Sequence, residues 1–287
     1  MMRYPLLSAL VLCLSLTSCD TNEILPPEEP HRLRILSITS PQISEFYLYD
    51  KNSMVTFWYY EESLSGWDVT YQAEYDYPAY DRINIQESES STFSMSATQT
   101  RNCDETLFLD HDGVARYSEG LFTYLEDDFT MLQKKYRCEF KYNHLLQLEV
   151  IAVSEWRTDQ SGWTEERPLT YNILIEWTGN DITRIVEPNR ESTFTYFNGT
   201  GVEYRPIIGF NIFRASYTPL KYCGVFGVQP ANLLRSKTIS DTGIGGGSSY
   251  KIDYSYSLSH GDSGSKVEKY TETINGMPRQ EYSILWE

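Results

Sequence analysis

From Leu33 onward, apolar and polar side chains alternate with a period of two, and this limits the fold more than any motif does. Tyr250, Ile252, Tyr254, Tyr256 and Leu258 share one face of a segment whose other face carries Lys251, Asp253, Ser255 and Ser257. Cys138, Phe140 and Tyr142 alternate with Glu139 and Lys141, and Tyr171, Ile173, Ile175 and Trp177 alternate with Asn172 and Glu176. Such segments are antiparallel strands with one packed and one wet face. Turn signals punctuate them at Asp112-Gly113, Gly179-Asn180, Asn198-Gly199 and Gly261 to Gly264. Aromatic residues make up 14% of the chain, and Tyr, Trp and Phe suit half-buried pleated surfaces.

The alternation repeats as a unit: an apolar strand, a polar turn, then two apolar residues about three apart. It begins near Tyr71, again near Leu107, again near Phe140 and again near Ile175. Each unit is a β-hairpin, and hairpins in series make a meander that buries one continuous face. The spacing is irregular, so the repeat is degenerate. Residues 205–235 break the pattern: Ile207, Ile208, Phe210, Ile212 and Phe213 precede Pro219, Cys223 and Pro230. That spacing admits one or two short helices, read as a crossover or cap over part of the sheet. The expected fold is therefore all-β, a hairpin meander forming a curved sheet or open barrel, with a short helical crossover near 205–235.

The N-terminus has a different grammar. Arg3, an apolar run from Leu6 to Leu16 and small residues leading into Cys19 have the form of a secretory signal, too short for a membrane span. Leu16-Thr17-Ser18-Cys19 has the pattern of a bacterial lipobox, in which cleavage precedes the cysteine and its thiol receives the lipid (a palmitate-type acyl anchor). Asp20 to Pro30 is rich in Pro and Glu and reads as a semi-extended acidic tether. The organisation expected is a signal at 1–18, a tether at 19–32 and one β-rich domain over 33–287, with a subdivision near 100 left open. Beyond the signal no apolar stretch approaches the ~20 residues that span a bilayer as a helix.

The formal net charge of −16 disfavours nucleic acid and anionic lipid surfaces. Cys103, Cys138 and Cys223 remain once Cys13 and Cys19 are set aside; the number is odd, and there is no CxxC or Cys/His cluster of the kind that holds zinc. No cofactor or metal is expected.

The lipobox, the tether and the strand–turn–strand units together resemble uncharacterised lipoproteins of Bacteroidota with a porin-like meander of strands. The resemblance lies over residues 105–287, with the stretch Pro230 to Ile239 followed by Tyr250 to Tyr256 as its most similar part. That family has no assigned activity, so the resemblance implies architecture and an outer-membrane or cell-surface address, nothing more.

Candidate chemistry is sparse. His260-Gly261-Asp262-Ser263-Gly264 contains the Gly-Asp-Ser-Gly surroundings of a serine nucleophile, but it sits between two strands, where turn geometry alone asks for those residues. Asp110-His111-Asp112-Gly113 opens like a calcium loop yet lacks the closing Glu. Glu61-Glu62, Asp127-Asp128 and Glu165-Glu166 are neighbours whose side chains point to opposite faces of a strand. Trp58, Trp67, Trp156 and Trp163 are the candidate ligand-stacking residues, against the alternative that they fold onto their own sheet. The functional expectation is a lipid-anchored envelope protein that binds a glycan or a protein without catalysis. Two alternatives stay open: a glycoside hydrolase or other hydrolase on a β scaffold, which requires a cleft holding two acids with shifted pKa values, and a structural module of an envelope complex.

Overall fold

A computed structural model describes residues 34–287 except 65, 94–97, 127–128, 159–163, 200–201, 209–212, 244–246 and 262–263. The unit Arg34–Glu287 is a closed antiparallel barrel of sixteen strands. The first eight are β1 (Ile35–Thr39), β2 (Ile43–Tyr49), β3 (Val55–Leu64), β4 (Trp67–Ala79), β5 (Arg82–Phe93), β6 (Gln99–Leu109), β7 (Ala115–Glu126) and β8 (Phe129–Tyr142). The others are β9 (Leu148–Thr158), β10 (Leu169–Thr178), β11 (Asp181–Glu187), β12 (Arg190–Tyr196), β13 (Leu234–Asp241), β14 (Ser249–Gly261), β15 (Gly264–Ile274) and β16 (Met277–Trp286). Every strand pairs with its sequence neighbours, so the expected meander is present. It is neither a curved sheet nor an open barrel, because β1 also pairs with β16 and closes the wall: Ile38 lies opposite Ile284, and the Arg34 amide donates to the Glu287 carbonyl at 2.9 Å.

The alternation decides which face looks inward. On β4, Val69, Ala73 and Tyr75 are buried while Asp68, Gln72, Glu74 and Asp76 are exposed. On β8, Tyr136, Cys138 and Phe140 are buried while Lys135 and Glu139 are exposed. The outer wall carries ion pairs: Arg137 with Glu119 at 2.6 Å, Arg184 with Glu176 at 2.8 Å and Glu191 at 2.9 Å, and Lys269 with Glu281 at 2.9 Å. The inward faces hold the apolar core together with acids such as Glu87 and Glu105, and the outside mixes these ion pairs with exposed Phe46, Leu48, Leu174 and Leu285.

A sixteen-strand barrel is wide enough to leave an aqueous channel. Here the excursion between β12 and β13 occupies the interior. It contains the helix α1 (Tyr217–Tyr222), which lies within the barrel and not over its outside as a crossover would. The Tyr75 hydroxyl donates to the Ser216 carbonyl at 2.7 Å, and Tyr217 hydrogen-bonds Ser118 at 3.0 Å. The excursion then seals one end. The Ala115 amide donates to Val225, Val228 donates to Leu146, and Ala231 donates to Asn180. Because the strands run up and down in order, these turns and Arg34 share that end. We call it the closed end and the opposite one the mouth.

The turns at the closed end repeat one device. Asp50, Asp110 and Asn143 each accept, through a side-chain oxygen, the amides two and four residues later. The fourth residue of each turn has positive φ: Ser53, Gly113 and Leu146. Asp-His-Asp-Gly is thus a hairpin turn, its first carboxylate already engaged by the backbone. Gly261 pairs with Gly264 across the end of the β14–β15 hairpin; Asp262 and Ser263 lie outside the described residues. Cys103, Cys138 and Cys223 are free thiols.

One glycine has a packing reason. Gly120 faces inward directly opposite Tyr136, and a Cβ there would lie 2.5 Å from the tyrosine ring. Glycine in a strand marks such a close approach. Gly120→Ala is expected to cost about 1–3 kcal/mol, the range for overpacking, as read by urea unfolding.

Candidate functional site: a cup at the mouth of the barrel

The lumen between the plug and the mouth is lined by successive rows of directly opposed residues. One row near the mouth reads Glu45, Tyr60, Tyr71, Glu89, Arg101, Tyr124 and Leu132, from β2 to β8. The next, one pleat deeper, reads Tyr47, Trp58, Ala73, Glu87, Cys103, Phe122 and Lys134. Inward-facing partners two residues apart make these rows inevitable once the register is set.

On the β1–β4 and β15–β16 side this lining surrounds a cavity of about 340 Å³. That lies at the lower end of the range for small-molecule sites. Its walls are aromatic: Tyr47, Trp58, Tyr60, Trp67, Tyr71, Tyr270 and Tyr282. Tyr270 and Tyr282 stack at 4.4 Å, and Tyr60 meets Tyr71 edge-on at 5.8 Å. Trp67, the first residue of β4, is 39% exposed at the mouth. Ile207, Ile208, Thr218 and Tyr222 of the plug form the floor.

Three carboxylates reach this cavity: Glu45, Glu62 and Glu272. Glu45 accepts the Trp58 indole N–H at 2.9 Å, Glu62 accepts the Tyr60 hydroxyl at 3.0 Å, and Glu272 accepts the Tyr282 hydroxyl at 3.2 Å. Burial raises the pKa of Glu45 and of Glu272, against hydrogen bonds and nearby cations that favour the charged forms. Arg279 stands at the rim, 3.4 Å from Glu62 and 3.8 Å from Glu272. The register slips between Glu272 and Thr273, so Arg279 is the extra residue of a bulge.

The cavity's neighbour on the far side of the lumen is a second lobe of about 380 Å³ lined by Glu89, Gln99, Arg101, Tyr124 and Leu132, among others. Tyr71 and Glu89, paired across β4 and β5, mark the boundary between the two lobes. Arg101 is held there by Glu89 at 2.5 Å and Glu87 at 3.4 Å.

Beneath the lobes the plug is locked by a buried ion network. Arg214 lies 3.0 Å from Glu87 and donates to Glu105 and to Tyr136, while Tyr217 donates to Glu105. Its guanidinium also packs over the rings of Phe122, Tyr136 and Tyr217. Burial alone would raise the pKa of Glu87, but the Arg214 charge holds it below the usual value.

Of the four tryptophans singled out in the sequence, Trp58 and Trp67 come together on the cavity. Trp156 has outward parity on β9, between buried Val153 and Glu155 on one side and exposed Arg157 on the other, and does not line it. Trp163 lies outside the described residues. Glu62 enters the cavity while its neighbour Glu61 has the opposite parity on β3. Glu45, Glu272 and the tyrosine walls had no motif to mark them; the signal was the inward parity of Glu45-x-Tyr47 and Trp58-x-Tyr60-x-Glu62.

No family model matches the chain, and no curated protein matches it. Among solved structures it is similar to a porin-like protein from Bacteroides uniformis ATCC 8492, at 16% identity over 88% of this chain and 96% of that one, with a TM-score of 0.48. It is also similar to a porin-like protein from Bacteroides vulgatus ATCC 8482, at 11% identity over 88% of this chain and 98% of that one, with a TM-score of 0.39.

Proposed function

We propose that this chain is a lipid-anchored binding protein of the outer envelope whose barrel stands in water and whose mouth holds a ring-shaped, hydroxyl-rich ligand such as a glycan. One observation carries the reading: a cavity walled by Trp58, Trp67 and five tyrosines opens at the end of the barrel opposite the plug. Flat aromatic faces next to hydrogen-bonding groups are what a sugar ring requires.

The wall supports the water-facing part of this reading. A membrane-spanning barrel turns apolar residues outward and polar ones inward. This wall sets the charged Glu119, Arg137, Glu176 and Arg184 among its outward residues, interrupting exposed apolar ones such as Leu121 and Leu174. The acyl group on Cys19 is then the membrane attachment, and Arg34, the first described residue, lies at the closed end of the barrel.

Two measurements test this. Cys19→Ala is expected to move the protein from the membrane to the soluble fraction after lysis, where a spanning barrel would stay membrane-bound. Trp67→Ala is expected to weaken glycan binding about fivefold in calorimetric titrations of hits from a glycan array, since losing one stacked ring removes ~1 kcal/mol. An array without hits would remove the glycan reading.

The hydrolase alternative has a specific observation in its favour, since Glu45 and Glu272 both have raised pKa values within one cavity. Release of reducing sugar by the wild type, abolished in Glu272→Gln, would establish it.

A further inference from the structure

We propose that the aromatic cavity selects a ligand bearing a positively charged amine, in chemical class an unacetylated amino sugar; this rests on the glycan reading above and sharpens it. The ionisable acids lining the cavity are Glu45, Glu62 and Glu272, and among the described lining residues there is no Lys or Arg. A neutral sugar needs stacking faces and a few hydroxyl partners. Its hydroxyls can donate to a carboxylate, but three partly buried carboxylates together cost more desolvation than a neutral ring returns.

An ammonium group uses both halves of this lining. It is attracted to the faces of Trp and Tyr rings, and it adds positive charge inside the cavity, where the carboxylates otherwise feel only Arg279 at the rim and the more distant Lys221 and Lys237. The tyrosine hydroxyls that donate to Glu62 and Glu272 keep each carboxylate oriented. Burial disfavours the charged forms of Glu45 and Glu272, and a bound cation reverses that preference.

The rim shows that a cation fits. Arg279 extends from its bulge to place guanidinium nitrogens near both Glu62 and Glu272. With a side chain 37% exposed, it holds that position from outside. A ligand amine entering between the same two carboxylates would take the place of that guanidinium. Arg279 is thus a built-in competitor that weakens amine binding and has little reason to affect a neutral ring.

A matched pair of probes separates charge from shape: the β-1,4-linked glucosamine tetramer and its fully N-acetylated counterpart. Each is titrated calorimetrically into the full-length, detergent-solubilised protein, with tryptophan fluorescence followed in parallel. The amine form is expected to bind at least tenfold more tightly. Glu272→Gln should abolish that ratio, and Arg279→Gln should increase affinity for the amine form alone. Arg279 is exposed, so its variant keeps the test independent of any folding defect in Glu272→Gln. Equal affinities, or tighter binding of the acetylated form, would overturn the inference and leave the glycan cup standing. Failure of both tetramers to bind or to quench tryptophan would overturn the inference, and the glycan array would then decide the glycan reading by itself.

Discussion

Replacing Arg214 by Met is expected to lower the unfolding free energy by about 3–5 kcal/mol, because Glu87 and Glu105 then remain buried without a countercharge. Both acids have fully buried side chains, so water cannot take the place of the guanidinium without opening the plug. Urea unfolding of wild type and variant gives the number. The companion variant Glu87→Leu/Glu105→Leu/Arg214→Met removes all three charges and is expected to recover most of the loss, since well-packed apolar replacements of buried ion networks are often neutral or stabilising. If Arg214→Met alone cost under 1 kcal/mol, the plug would be held by its apolar contacts, Phe140 with Phe226 and Tyr217 with Phe226.

The second large effect concerns pH. Lys221 sits in α1 beneath the cavity and is 1% exposed. Burial, then the like charge of Lys237, push its pKa from 10.5 down to about 7, with Glu45 opposing. Between pH 7 and 10 the unfolded chain therefore holds a proton on this amine that the folded chain has released. Stability rises with pH wherever the unfolded state binds more protons, by up to about 1.4 kcal/mol per unit for one group. Lys237, lowered to about 8, adds an effect of the same sign over the upper part of this window. Lys221→Met is expected to stabilise the protein at pH 7 and to flatten the rise toward pH 10. Urea midpoints at four pH values between 7 and 10 decide it. A variant with the wild-type slope would mean that this amine is charged in the folded state.

The strands were legible because period-two alternation is a local property: Ile252 to Tyr256 and Cys138 to Tyr142 announce their inner faces without help from the rest of the chain, while Tyr250 and Leu258 at the ends of the first stripe are exposed. Asp112-Gly113 and Gly179-Asn180 were legible for the same reason, since a turn is decided by four or five residues. Closure was not. It depends on Ile38 meeting Ile284, a pairing across nearly the whole described unit that no local pattern encodes. The 205–235 segment was recognisable as an interruption, yet its apolar residues fit equally a cap outside a sheet and a plug inside a barrel. Once the barrel exists the answer follows, because inward residues such as Tyr75, Phe122 and Phe140 need partners that only a segment inside the lumen can supply. The site was half visible. Trp58 and Trp67 stood out by residue type, whereas Glu45 and Glu272 join them only because closure brings β2 and β15 to opposite flanks of one cavity.

The β1–β16 seam has a consequence for how the molecule is made. A chain emerging from the N-terminal end presents β1 first, and its hydrogen-bonding partner is the final strand. Until Ile284 and Trp286 arrive, β1 is an unpaired edge able to template the strands of a neighbouring chain. Assembly is therefore a race between the last ten-residue strand and aggregation, and the slow step is the closing of a long loop. Loss of β16 alone would do more than remove one sixteenth of the wall, since it would leave two raw edges, on β1 and β15, where the complete barrel has none.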